Sequence, residues 1–253
     1  MKKILNKYLK YQLGIFILLC LCCSGCYKRK NTYTIARDGD WLPFNFGVQT
    51  SNINGLINQV TSIVAAKMKS ELLIVSADAE TLREGLDCKK FDAAFSMLTV
   101  GRESMERYHF SKPILLTGPV LVVRSDSSFR NIMDFSKKIM AVNQADSSIS
   151  IIASVPDIII SFYEKPVVAI GELLKGRYDG ILLPYIEAQQ LIQKEFAKEI
   201  KIVTDPLTDE GVRLITLKDT HNDLIEAFDL FLQKEFRKRN GSLAQIKRNF
   251  FLL

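Results

Sequence analysis

Histidine and tryptophan are scarce in this chain. It has two histidines, His109 and His221, and one tryptophan, Trp41. The histidines lie far apart and neither stands at a zinc-ligand spacing, so no metal site is expected. The 13 glycines are scattered, with no phosphate-cradling loop, G-x-S-x-G elbow or dinucleotide fingerprint among them. No cofactor is expected. Carboxylates such as Asp87 and Asp92 are not placed as an acid–base couple. There is no internal repeat and no low-complexity tract. No apolar run reaches the roughly 20 residues that a membrane-spanning helix needs. Extended basic tracts are missing as well. Lys137-Lys138 and Arg237-Lys238-Arg239 are short and read as solvated faces.

What is present begins at the N-terminus. Lys2, Lys3, Lys7 and Lys10 precede an uncharged apolar stretch, Leu13 to Cys23, and the small pair Ser24-Gly25 precedes Cys26. Basic, then apolar, then small is the order of a secretory signal peptide. Ser24-Gly25-Cys26 resembles a bacterial lipobox, with Cys23 where leucine is usual. The resemblance implies that Cys26 takes the lipid, palmitate among its acyl chains. The alternative is an ordinary cleaved signal with a chance cysteine. With a lipid, a domain facing the periplasm or the exterior is held at a membrane.

Export changes the charge balance. The whole chain carries 34 basic and 28 acidic side chains, but residues 1–25 hold four of the lysines and no acid. The mature chain is therefore nearly neutral, which argues against a nucleic-acid partner. Cys20, Cys22 and Cys23 leave with the signal, Cys26 takes the lipid, and Cys88 is left alone. No intrachain disulfide is possible, so the exported domain rests on its core.

The periodicity alternates along the mature chain. Strands are predicted at Tyr33 to Ala36, Leu72 to Val75 and Phe91 to Phe95. A helix from Asn54 to Met68 carries Leu56, Ile57, Val60, Ile63, Val64 and Met68 on one stripe. Glu80 to Leu86 is a short helix. After a polar, charged segment, the apolar run Ile114 to Val123 is broken by Gly118-Pro119. The pattern then restarts, with strands at Lys138 to Val142, Ile158 to Phe162, Gly180 to Leu183, Ile200 to Val203 and Val212 to Leu217. Helices are predicted at Ser147 to Ala153, Val168 to Leu174, Tyr185 to Lys198, Asn222 to Arg239 and Ser242 to Phe250. This alternation implies α/β lobes with mostly parallel sheets. Ligands in open α/β sheets sit at the carboxyl ends of the strands, so two facing lobes make a cleft.

Six segments in order resemble the bacterial extracellular solute-binding proteins for polar amino acids. They are Tyr33 to Asp38 followed by Trp41-Leu42-Pro43-Phe44-Asn45-Phe46; Gly55-Leu56; Leu82 to Leu86 with Phe91-Asp92-Ala93-Ala94; Thr99; Phe110-Ser111-Lys112-Pro113-Ile114; and Tyr178-Asp179-Gly180. The resemblance implies a two-lobed periplasmic-binding-protein fold with two crossover strands as its hinge. The crossovers are expected near Leu121-Val122 and Glu210-Gly211. Residues 1–25 are then the signal and 26–31 a tether. Residues 32–122 plus 208–253 form lobe 1, and 123–207 form lobe 2. The implied partners are a small polar, amino acid-like solute and the permease and ATPase of an ABC importer. A monomer is expected.

The resemblance also implies a site. Trp41 matches an aromatic that stacks on the ligand, or else it bridges surface and core. Asp38 matches an acid that reads the ligand, or else it is a turn residue. Phe44 and Phe46 fit the core. Ser96, Met97 and Thr99 match the loop that offers backbone and hydroxyl groups. The family's carboxylate-binding arginine has the place of Ser104 here, and Arg102 is the candidate in its stead. Asn143 and Ser147 are the candidates from lobe 2, where Ala145-Asp146-Ser147-Ser148 replaces a small pair at a helix start. Pro184 stands at the place of the amine-binding acid, with Tyr185 and Glu187 nearby. Both halves of the usual zwitterion clamp are therefore altered. Alternatives to capture of a polar amino acid are an envelope lipoprotein that keeps the fold without a free amino acid ligand, and an enzyme similar to cyclohexadienyl dehydratase.

Overall fold

Strands and helices alternate through the chain, and the strands part into two sheets. The structure, a computed structural model, describes residues 30–39, 41, 49–144 and 149–236. The signal, Cys26, Ser147 and the final helix at Ser242 to Phe250 lie outside the described residues. The elements run β1 (Thr32–Asp38), α1 (Gln49–Met68), β2 (Glu71–Ala77), α2 (Ala79–Asp87), β3 (Ala93–Ser96), α3 (Arg102–Arg107), β4 (Tyr108–Phe110), β5 (Leu115–Leu116) and β6 (Pro119–Arg124). A 3-10 turn (Ile132–Phe135) leads to β7 (Ile139–Asn143), α4 (Ile149–Ile152), β8 (Ile159–Tyr163), α5 (Pro166–Leu174), β9 (Gly180–Pro184), α6 (Tyr185–Lys194), β10 (Ile200–Ile202), β11 (Gly211–Leu217) and α7 (Asn222–Phe236).

The first sheet has the order β2-β1-β3-β11-β4, with β5 paired to β11, and the second has the order β10-β6-β9-β7-β8. The expectation of mostly parallel sheets needs correction. Among the described residues, only β1 with β2 and β3, and β7 with β8 and β9, pair in parallel. β11 runs antiparallel to β3, β4 and β5, and β6 antiparallel to β9 and β10. The parallel ladders are those closed by a helix in between. β6 and β11 arrive from the other sheet, so no crossover helix constrains their direction.

The predicted stripe of α1 is the inner wall of the first core. Leu56, Ile57, Val60 and Val64 are fully buried, with Ile63 and Met68 packed at the margin. They meet Ile35 and Phe95 of the sheet and Phe228 of α7. Phe95 and Phe228 touch edge to face at 5.7 Å, an arrangement worth about 1 kcal/mol beyond burial. α2 starts where Asp78 accepts the N–H groups of Glu80 at 3.1 Å and Thr81 at 2.9 Å. Those bonds to the ionised form hold the Asp78 carboxyl below the usual range. β6 lies between β10 and β9, and its first five residues are all buried. That position explains its unbroken apolar run, since such a strand is covered on both faces.

The chain changes sheet at two places that lie side by side. It passes from β5 to β6 through Thr117-Gly118, and from β10 to β11 through residues 203–210. Leu121 and Val122 sit inside β6, within the second sheet. The segments are laced together: Thr117 N–H donates to Glu210 O at 2.8 Å, Leu207 N–H to Pro119 O at 2.8 Å, and Val203 N–H to Leu121 O at 3.0 Å. A lace of two neighbouring strands is a geometry about which two lobes can turn.

Candidate functional site between the two sheets

β1 delivers Asp38 at its carboxyl end. Asp38 is buried and its Oδ1 accepts the Trp41 N–H at 2.8 Å. The turn holds Trp41 at φ 56°, in the left-handed region that large side chains seldom adopt. The Trp41 ring has no exposed surface, and its Nε1–H donates to Asn54 Oδ1 at 3.2 Å. Asp38 thus serves a turn, and Trp41 is packed with its indole N–H satisfied.

β3 delivers the second group. Ser96 ends the strand and its Oγ accepts the Leu98 N–H at 3.1 Å. Met97 packs on the cluster that contains Trp41. Thr99 is exposed, and its carbonyl accepts from Ser104 Oγ at 2.8 Å. Ser104 also accepts the Gly101 N–H at 2.9 Å, so it closes the start of α3. Arg102 opens that helix with a side chain 96% exposed, and its Nε is 3.9 Å from Glu106 Oε1. It stands in solvent, apart from the Trp41 cluster.

The second sheet meets this group through the start of α6. Ile186 is buried in the same cluster as Trp41, and Tyr185 packs against both cores. Of the residues singled out in the sequence, the structure brings Trp41 and Met97 together in one packed cluster. Ile186 and Asn54 were not legible as members, because neither carries a charge or an unusual spacing. Asn143 ends β7 half-buried. Gln189 Nε2–H donates to the Tyr185 hydroxyl at 3.3 Å. Burial pushes the Tyr185 hydroxyl up, and the Asp205 charge adds to that. Burial also pushes the Glu187 carboxyl above the usual carboxylate range.

Other features lie apart. A groove of about 620 Å³ runs beside β4 and α7, lined by His109, Lys112, Arg213 and Asp229 among others, and none of the sequence-derived site residues lines it. Arg213 is buried and engaged: it donates to Ser111 O at 3.1 Å and to Asp209 Oδ2 at 2.7 Å. Among the described residues no cluster of three metal-ligating side chains occurs, and no helix is long and apolar enough to cross a membrane.

The chain has relatives throughout its length. It is 24% identical over 248 residues to the probable amino-acid-binding protein YxeM of Bacillus subtilis (strain 168), covering 94% of this chain and 92% of that one. The L-cystine solute receptor of Neisseria gonorrhoeae, solved in its unliganded open conformation, superposes with a TM-score of 0.67 at 19% identity, covering 88% of this chain and 93% of that one. An ancestral cyclohexadienyl dehydratase shares the fold at a TM-score of 0.63 and 20% identity, covering 88% and 93%. The model of the bacterial extracellular solute-binding proteins, family 3, matches residues 33–252, and the chain belongs to that family.

Proposed function

We propose that this chain is the solute-capturing lipoprotein of an ABC importer, with the site between its lobes and a polar amino acid or related small polar solute as its cargo. The observation that supports this most is the shared cluster at the seam. Trp41 and Met97 from the first lobe pack with Tyr185 and Ile186 from the second, beside two laced crossing segments. A solute held there touches both lobes, so its binding energy favours closure. Asp38 positions Trp41, and the Ser96–Thr99 loop and Asn143 supply polar groups at the strand ends. Arg102 and Ser147 stay in the proposal as the anionic-end contacts. The B. subtilis relative, described as a probable amino-acid-binding protein, supports the class of cargo. A permease and an ATPase are the partners, and Cys26 carries the lipid. The dehydratase neighbour shares only the fold, which does not carry chemistry with it.

A second reading is favoured by one observation. Ser104, at the place of the family's arginine, is consumed in closing α3, and Arg102 points into solvent. An envelope protein that takes no free amino acid fits that arrangement.

Thermal shift and Trp41 fluorescence of the purified protein, against amino acids, short peptides and other polar solutes, separate the two. Binding by one class is expected to raise Tm in a saturable way. A folded protein that answers to none supports the second reading. For the anchor, incorporation of radiolabelled palmitate is expected in the native protein and not in Cys26→Ser. Equal labelling of both would remove Cys26 from that role.

A further inference from the structure

Glu187 has no structural task that explains its place. It is the third residue of α6, where a glutamate ordinarily reaches back to the N–H of the cap residue. The cap here is Pro184, which has no N–H. Among the described residues Glu187 has no hydrogen-bond or ion-pair partner, yet it is only partly exposed. Its location is fixed by its neighbours. Ile186 is buried in the first-lobe cluster with Trp41, while Ala188 and Leu191 are buried in the second-lobe core. Successive helix residues turn by about 100°, so Glu187 projects in the sector between the face turned to lobe 1 and the face turned to lobe 2. An anionic group is thus held at the seam with its hydration reduced and nothing to replace it. Burial raises its protonation range, as expected for such a carboxylate.

We propose that Glu187 is the residue by which this site recognises the cationic end of its solute, and that a protonated amine or guanidinium, rather than a carboxylate, is the obligatory feature of the cargo. This rests on the interlobe reading above. An incoming cation replaces the water that Glu187 has lost and supplies the opposite charge that the carboxylate lacks. The basic side chain proposed for the solute's other end, Arg102, is almost fully solvated, so a carboxylate gains little from it.

Isothermal titration with four probes tests this: L-arginine, agmatine (the same cation without the carboxylate), L-glutamine, and glutarate (carboxylates without an amine). Arginine and agmatine are expected to bind with similar affinity, and glutarate not at all. Glu187→Gln is expected to weaken the two cations by about 30-fold or more, the scale for truncating one partner of a desolvated charge pair. The same variant is expected to hold or raise the Tm of the ligand-free protein, because a poorly hydrated charge is removed without changing shape. A structural role would instead lower Tm. Binding of glutarate, or cation affinities unchanged by Glu187→Gln, would overturn the proposal while leaving the interlobe site standing. Failure of all four probes, with a wider panel of neutral and anionic solutes also silent on folded protein, would overturn the interlobe reading and this proposal together.

Discussion

Trp41→Ala is expected to lower the stability of the ligand-free protein by about 3–5 kcal/mol, the range for removing a large buried aromatic. The side chain is among the largest that are fully buried. It fills space between α1 and the start of α6, and the cluster it joins also holds Phe95 and Phe228. Truncation leaves a cavity and strands Asn54 Oδ1, which accepts the indole N–H. The backbone adds to the effect: a non-glycine residue at φ 56° tolerates its strain because packing and the Asp38 bond hold it. Trp41→Phe retains much of the volume and loses the Asn54 bond, so a loss of about 1–2 kcal/mol is expected. Urea unfolding without solute measures both. If Trp41→Ala unfolds like the parent yet no longer binds solute, the ring works on the ligand and the packing account is wrong. Buried indole also predicts blue-shifted emission in the free protein, moving red on unfolding.

The contrast between the two roles of Trp41 shows what the sequence can and cannot convey. Its position after a strand, between polar neighbours, marks it as special. Whether its ring faces a solute or a core depends on Ile53, Leu56 and Ile186, which are remote or ordinary in sequence. The long amphipathic helices were legible because burial imposes a period. α1 shows this with four fully buried residues on its predicted stripe, and it begins earlier than Asn54, at Gln49. α3 was not legible: none of its residues is buried, so Arg102–Arg107 carries no apolar period. β4, which follows it, has three residues, too few for alternation to register. Glu187 was visible as a polar candidate. What raises it above a solvated helix face is the joint presence of Ile186 in one core and Ala188 in the other, which only the packing supplies.

The crossing segments carry the other large expected effect. Gly211 opens β11 opposite Leu116 of β5. A Cβ there would lie 2.1 Å from Leu115 O, 3.0 Å from Leu115 C and 3.1 Å from Leu116 Cα. All three are backbone atoms, so no side chain can rotate away. The backbone itself is tied on both sides, by the β5–β11 pairing and by the Thr117 N–H to Glu210 O bond. Gly211→Ala is therefore expected to cost about 3 kcal/mol, at the upper end for overpacking, because relief requires parting the two strands. Gly171 supplies the control. It lies inside α5 and a Cβ there meets nothing within 4 Å. Gly171→Ala is expected to gain about 0.5–1 kcal/mol from helix propensity. Thermal unfolding of the two variants should move in opposite directions from the parent. A Gly211→Ala protein as stable as the parent would mean that the crossing strands separate at little cost. The hinge would then be loose rather than laced, and the lobe angle would have to be set by the solute and the seam cluster alone.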